Sequence, residues 1–257
     1  MIKLLSIEFG KLLRLTSLRF SLLVLAIYPF LWAYAPGVFK AYGSYVVSAF
    51  QVPALSLLSS MQFLLPLLVA IASAELLGLE MRHGTLATVL LRPVTRSGLL
   101  LSKIIVAISY PFLLLGFMFL VSLIAGIPLG FSDFVGGTGV GPSGLVGEGT
   151  MTAASAMLEL IRAYFIAGVS LLPISLLSLL FTVIFMNVAS GALATLTVLI
   201  LMQLLVVFPW LEPYLLSSQL NSYFASGVSL GRAFALIALY SAVFAGSAML
   251  IFERKDY

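Results

Sequence analysis

Long apolar stretches separated by short polar segments make up most of the chain. A bilayer core about 30 Å thick requires about 20 apolar residues in a helix, and six stretches reach this length. They lie at about residues 20–39, 54–79, 99–127, 161–185, 188–208 and 232–252. Each must be helical, because lipid offers the backbone no hydrogen-bond partners. The pattern predicts an all-α polytopic membrane protein with six transmembrane helices in a single domain, residues 1–257.

Four prolines fall inside these spans: Pro29, Pro66, Pro111 and Pro173. Each removes one backbone hydrogen bond and is expected to kink its helix. Kinked helices can enclose a cavity, although irregular packing alone also explains them. A small-residue sequence ending at Ala35 resembles a signal-peptide cleavage site, but Pro36 follows it directly, so we predict a retained first span.

The residues before the first span have the periodicity of an amphipathic helix. Its polar side carries Lys3, Ser6, Gly10, Arg14 and Ser17, opposite Ile2, Leu5, Phe9, Leu12 and Leu13. This pattern predicts an amino-terminal interfacial helix over residues 1–19. Glu8 falls on the apolar side and departs from the pattern. The alternative is a first span that starts early.

Composition and charge set the topology. The chain is 62% hydrophobic and 9% charged, with a mean hydropathy of +1.20, as expected of an integral membrane protein. One predicted side carries Lys3, Lys11, Arg14, Arg19, Arg82, Arg92, Arg96, Lys103, Arg254 and Lys255, and the other Lys40, Arg162 and Arg232. The positive-inside rule therefore predicts that both termini are cytoplasmic in a multi-pass cell-membrane protein. The cations form no basic face with interleaved aromatics, so no nucleic acid partner is predicted.

Two segments on the predicted outer side differ in composition. Residues 128–160 are predicted to form a flexible external loop, since nine glycines occur between positions 126 and 150. This loop either covers a substrate exit or is an insertion without a functional role. Residues 209–231 are apolar but broken by Pro209, Pro213 and Gly227, and are predicted to form one or two short, partly re-entrant helices. Trp210, Tyr214 and Tyr223 suit an interfacial aromatic belt.

Motifs for catalysis or cofactor binding are missing from the sequence. Cysteine is absent, Gly10–Lys11 is followed by Leu12 rather than by Ser or Thr, and His83 is the only histidine. A phosphate loop, a cysteine nucleophile and a histidine metal site are therefore not encoded. We predict no catalytic, cofactor-binding or metal-binding residues on this chain. ATP would have to be bound elsewhere.

The span interiors hold almost no ionisable residues. Glu75 and Glu80 lie at the cytoplasmic end of span two, which argues against a proton pathway through the membrane. Gln62 and Gln203 remain as neutral polar groups inside spans. They either form interhelical hydrogen bonds or line a substrate path.

The polar sequence between spans two and three is GLEMRHGTLATVLLRPVTRSGLLLSK, within residues 78–103. Pro93 disfavours helix at Arg92 and so ends a short helix across the cytoplasmic surface. Its apolar residues Leu86, Val89, Leu90 and Leu91 need lipid or a protein partner. This sequence resembles the signature of ABC-2 type transporter permeases, through Glu80, Gly84, Thr85, Leu90, Leu91, Pro93, Val94, Thr95, Arg96 and Lys103.

The resemblance implies a permease of an ATP-binding cassette transporter. Residues 80–98, which we call the coupling segment, would then hold a coupling helix that docks on cytoplasmic ABC ATPase subunits, with ATP and Mg bound on those partners. It implies ATPase-coupling roles for Glu80, Gly84, Thr85, Leu86, Leu90, Leu91, Pro93 and Arg96. Glu80 and Arg96 would be polar anchors, and Thr85 would cap the helix.

The resemblance also implies pairing with a second permease copy or a paralogue, and export rather than import. A neutral path through Gln62 and Gln203 suits a hydrophobic or amphiphilic cargo. Two alternatives remain: a membrane scaffold without transport, and a lipid-modifying membrane enzyme. The enzyme would need a cluster of acids or histidines that the sequence lacks.

Overall fold

The computed structural model describes residues 2–34, 48–82, 95–136, 145, 149–224 and 227–255. The helices of these residues are α1 (Ile2–Leu12), α2 (Thr16–Tyr34), α3 (Gln51–Met61), α4 (Leu64–Arg82), α5 (Arg96–Gly126), α6 (Ala153–Ser170), α7 (Leu172–Phe185), α8 (Val188–Leu205), α9 (Leu216–Gln219) and α10 (Gly227–Arg254). Three short 3-10 helices lie at Ile127–Leu129, Glu212–Tyr214 and Ser222–Phe224.

Six stretches of helix in the described part of the chain are long and apolar enough to cross a membrane. They are Thr16–Tyr34, Leu64–Arg82, Arg96–Leu129, Ala153–Phe185, Val188–Leu205 and Ser229–Arg254. The predicted all-α polytopic fold with six spans is therefore confirmed. The amino-terminal residues form two helices, because α1 ends in a turn at residues 13–15 before α2 begins. The position of α1 at a membrane interface remains a prediction.

Two of the four span prolines coincide with helix breaks. The predicted second span divides into α3 and α4 at Gln62 and Phe63. Pro66 explains this break, since it has no N–H to donate to the Gln62 carbonyl four residues earlier. Pro173 follows a break at Leu171 between α6 and α7. Pro29 and Pro111 lie within the continuous helices α2 and α5.

The predicted outer end carries more regular structure than a glycine-rich loop requires. Strands β1 (Phe134–Gly136) and β2 (Gly149–Met151) pair antiparallel, with Phe134 opposite Met151. Helix α6 begins at Ala153 rather than at 161, because Thr152 caps it and Asp133 Oδ1 accepts a hydrogen bond from the Ala153 N–H at 2.8 Å. Residues 137–144 and 146–148 lie outside the described part.

Helix α7 lies at the centre of the bundle and packs against α4, α5, α8 and α10. Serine hydroxyls join it to its neighbours. Ser175 donates to the Ala107 carbonyl at 2.7 Å and lies 2.8 Å from the Ser73 hydroxyl, and Ser178 donates to the Ala70 carbonyl. These bonds satisfy side chains that would otherwise be unpaired in the apolar interior.

Close contact between α7 and α8 depends on a glycine. A methyl group added at Gly191 would overlap the Thr182 hydroxyl and lie 3.0 Å from the Thr182 backbone. Gly116, on α5, has no atom within 4 Å of the corresponding position. The two glycines therefore differ sharply in the room available for a side chain.

We expect Gly191→Ala to destabilise the bundle by about 1–3 kcal/mol, because the backbone of α7 must shift to admit the methyl group. The measurement is the thermal unfolding midpoint of the purified chain in detergent. Gly116→Ala is the matched control and should leave the midpoint unchanged or raise it. Equal midpoints for the two variants would contradict the close contact.

Candidate functional site

Four charged side chains meet where α1, α4 and α5 adjoin. The Lys11 ammonium lies 2.6 Å from Glu8 Oε1 and 2.6 Å from Glu80 Oε1. The Lys103 ammonium lies 2.8 Å from Glu8 Oε2 and 3.0 Å from Glu80 Oε2. Each carboxylate thus bridges both ammonium groups. We call this closed, electrically neutral arrangement the charge ring.

Three helices supply the ring. Glu8 and Lys11 are three positions apart on α1, which places them on one face. Glu80 is in the last turn of α4, and Lys103 is in the second or third turn of α5. Lys103 also donates to the Leu76 carbonyl at 2.7 Å. Its side chain is 0% exposed and that of Glu8 1%, whereas that of Lys11 is 43% exposed.

The ring keeps buried groups charged. Burial acts to raise the pKa of Glu8, but the nearby Lys103 and Lys11 ammonium groups outweigh it, so the pKa lies below its ordinary value. Burial acts to lower the pKa of Lys11, and hydrogen bonds to Glu8 and Glu80 outweigh it, so this pKa is raised. A buried charge that loses its partner is strongly destabilising. The ring therefore ties α1 to α4 and α5.

A second polar cluster joins the ends of three helices. Arg96, the first residue of α5, donates to the backbone carbonyls of Lys255 at 3.0 Å and Glu253 at 3.4 Å, at the end of α10. Lys255 donates to the carbonyls of Val183 at 3.0 Å and Ile184 at 2.7 Å, in the last turn of α7. Cations are favourable at helix carboxyl ends. We call these contacts the carboxyl-end cluster.

The two clusters flank the coupling segment predicted from the sequence. Glu80, the first residue of the segment, belongs to the charge ring, and Arg96, near its other end, belongs to the carboxyl-end cluster. The remaining predicted coupling residues, Gly84, Thr85, Leu86, Leu90, Leu91 and Pro93, lie outside the described residues, as does His83. The described residues thus place the two predicted anchors in separate polar clusters.

Gln62 and Gln203 line one cavity of about 230 Å³ at the opposite end of the bundle. Its other walls come from Phe63, Pro66, Leu196, Leu199, Ile200, Leu204, Ser217 and Leu220. The break between α3 and α4 forms one side, α8 the second and α9 the third. The two glutamines are therefore brought together in a mostly apolar cavity. They form no interhelical hydrogen bond with each other in the described structure.

Sequence reasoning missed the roles of Glu8, Lys11, Lys103 and Lys255. Glu8 had a detectable signal, since a carboxylate on the apolar face of a helix requires a cationic partner. Its position was interpreted as a defect of the amphipathic pattern. Lys103, eight positions before Pro111 in an apolar run, carried the complementary signal. The pairing itself required the fold, because the two residues lie on different helices.

Comparison with protein families identifies a match. The model of a family described as ABC-2 family transporter protein matches residues 4–184, which is more than half of the chain. The match includes the charge ring, the coupling segment and the helices from α1 to nearly the end of α7. It leaves out α8, α9 and α10. No curated protein matches the chain.

We expect Lys103→Ala to destabilise the protein by about 3–5 kcal/mol, because Glu8 loses its buried partner. Lys11→Ala removes a half-exposed cation and should have an effect of about 1 kcal/mol or less. The double variant Glu8→Leu, Lys103→Met should recover most of the loss, since it removes both buried charges. The thermal unfolding midpoints of the three variants in detergent test this order of stability. Equal losses of stability in Lys103→Ala and Lys11→Ala would contradict the difference in burial between the two lysines.

The charge ring also predicts how the attachment of α1 depends on pH. The pKa of Glu8 lies below 4.5 in the fold, so its stabilisation is complete above pH 4.5 and is lost as the pH falls through the lowered value. The pKa of Lys11 lies above 10.5, so its contribution is complete below pH 10.5 and is lost as the pH rises through the raised value.

The chain contains no cysteine, so a spin label on Ile7→Cys reports on α1 alone. We expect low label mobility between about pH 5 and pH 10 and higher mobility at either extreme. A label on Leu120→Cys, exposed on α5, controls for general unfolding. Adding Glu8→Gln should remove the increase in label mobility at acid pH. An unchanged increase would contradict the assignment of that transition to Glu8.

Proposed function

The chain belongs to the ABC-2 transporter family, and from this premise we propose that its coupling segment receives force from separate ABC ATPase subunits. The chain is the membrane-spanning permease of such a transporter. In this proposal ATP and Mg bind to the partner ATPases, since the sequence here has no phosphate loop. Two permease copies, or this chain and a paralogue, pair in the bilayer.

The observation that supports this proposal is the separate attachment of the two ends of the coupling segment. Motion at Glu80 acts on α1, α4 and α5 through the charge ring. Motion at Arg96 acts on α10, and through Lys255 on α7. A partner that moves the segment can therefore reach five helices through short polar contacts. Nucleotide binding would shift the population between inward-open and outward-open states.

We further propose that the cargo is hydrophobic or amphiphilic and is exported. The shared cavity supports this choice of cargo, because Gln62 and Gln203 supply its polar groups within apolar walls. None of the described residues that line that cavity is charged, so a bare ion would be poorly solvated there. The family resemblance supports export as the direction of transport. Gln62 and Gln203 are proposed to hydrogen-bond the polar part of the cargo.

We expect a photocrosslinker attached at Leu90→Cys to capture the ATPase subunit in the assembled transporter, because the short helix is proposed to dock there. Leu158→Cys, whose side chain is 69% exposed on α6, is the matched control and should not capture it. Capture at Leu158 alone would show that the ATPases bind another surface. No capture at either site, with no nucleotide-dependent motion, would indicate a scaffold.

In the same assembly, Glu80→Gln and Arg96→Gln should each reduce the stimulation of ATP turnover by the permease about fivefold or more, as expected for loss of one coupling contact. Glu159→Gln, which removes an ion pair with Arg162 on α6, is the control and should leave turnover unchanged. Unchanged turnover in the Glu80 and Arg96 variants would remove their coupling roles.

A further inference from the structure

A polar pocket lies at the end of the bundle away from the charge ring. It has a volume of about 610 Å³ and is bounded by the segment from Glu212 to Ser222 and by the start of α10. Glu212, Ser218, Asn221, Ser222 and Arg232 supply its main polar groups. The proposed function uses none of these residues.

The pocket contains both a cation and an anion. Arg232 donates to the Tyr214 hydroxyl at 3.0 Å, and its guanidinium carbon lies 5.2 Å from the centre of the Tyr214 ring. Among the described residues no salt bridge joins Arg232 to Glu212. The two charges are therefore available to a ligand that carries one charge of each sign.

Buried hydroxyl groups in the pocket also require a partner. The Ser222 side chain belongs to a residue that is only 4% exposed, and its Oγ has no hydrogen-bond partner among the described residues. The Ser218 Oγ is likewise buried without a partner. An unsatisfied buried hydroxyl is destabilising. A phosphate oxygen would accept from these hydroxyls, and the guanidinium of Arg232 suits phosphate geometry.

Exposed aromatic side chains favour a position of this pocket at the level of lipid headgroups. Trp210, two residues before the segment that forms the pocket wall, is 73% exposed, and Tyr214, within that segment, is 48% exposed. Tryptophan and tyrosine concentrate at membrane interfaces. This position favours a membrane lipid over a free ion as the source of the phosphate.

A more apolar cavity adjoins the pocket. Asn221 also lines a neighbouring cavity of about 480 Å³, which contains Trp32, Leu55 and Leu58. That cavity shares Gln62 with the 230 Å³ cavity described above. A polar headgroup site thus adjoins apolar walls that can receive an acyl chain.

We propose that this pocket binds the zwitterionic headgroup of a phospholipid. The phosphate lies against Arg232, Ser218 and Ser222, and the ammonium group lies towards Glu212. Binding does not depend on the proposed function. Only the additional step, that a zwitterionic phospholipid or similar amphiphile is the cargo, rests on it.

The test uses the full chain, purified in detergent without any ATPase. Its two tryptophans, Trp32 and Trp210, lie in or beside the cavities and report binding by fluorescence. Dihexanoyl phosphatidylcholine, dihexanoyl phosphatidylglycerol and inorganic phosphate are the three probes. We expect saturable binding of phosphatidylcholine, weaker binding of phosphatidylglycerol, and no competition by inorganic phosphate at equal concentration.

Variants assign the individual contacts. Arg232→Gln should weaken binding of both phospholipids by about tenfold or more, as for loss of a charged hydrogen bond. Glu212→Gln should weaken only phosphatidylcholine and so remove the preference for it. Arg162→Gln is the matched arginine control, since Arg162 pairs with Glu159 outside the pocket, and it should bind like the unmodified chain.

Ser222→Ala best distinguishes an effect on lipid binding from an effect on the stability of the fold. It removes a buried hydroxyl that has no partner, so the melting temperature should stay the same or rise while both phospholipids bind more weakly. Unchanged binding in Arg232→Gln, an equal loss in Arg162→Gln, or full competition by phosphate would each overturn the proposal. Because no ATPase is present, such a result would leave the coupling proposal intact, and failed coupling would leave the binding result intact.

Discussion

The charge ring is the interaction on which the arrangement of α1, α4 and α5 depends. Glu8 and Lys103 can be buried as charged groups there only because each has two partners of opposite sign within 3.0 Å. Moving one helix alone would break two of the four ion pairs of the ring, which is costly for charges held away from water. The three helices are therefore constrained to move together, or to separate only when another charged group replaces the missing partner. This constraint attaches α1 firmly to the helix bundle.

The two ends of the bundle differ in chemistry, and α10 connects them. Its last residues meet Arg96 and Lys255 in the carboxyl-end cluster, whereas Arg232, near its start, lines the polar pocket. At about 1.5 Å per residue these positions are roughly 30 Å apart. A tilt of α10 produced at one end would therefore displace Arg232 at the other. The helix offers a direct physical route between the coupling segment and the proposed lipid site.

The sequence predicted the spans well because their length and apolarity are local properties. It predicted the broken second span less well, since Pro66 indicated a kink but not that α3 and α4 would be separate helices. The hairpin of β1 and β2 was missed, because short strands among glycines have no distinct pattern. At the site, Glu80 and Arg96 were selected by resemblance, and both lie in polar clusters. Glu8 and Lys103 were not connected to each other, because no local signal identifies a partner on another helix.

Interactions in the middle of the bundle are of a weaker kind than those of the ring. Between α4, α5 and α7 the polar contacts are serine hydroxyl bonds, such as Ser178 to the Ala70 carbonyl. Such bonds contribute about 0.6 kcal/mol each in membrane proteins, and a shifted helix can form similar ones with neighbouring carbonyls. Apolar contacts between these helices are also non-directional. A tilt through the middle of the bundle would therefore cost less than breaking the charge ring, and α1, α4 and α5 would move at the ring end as one unit.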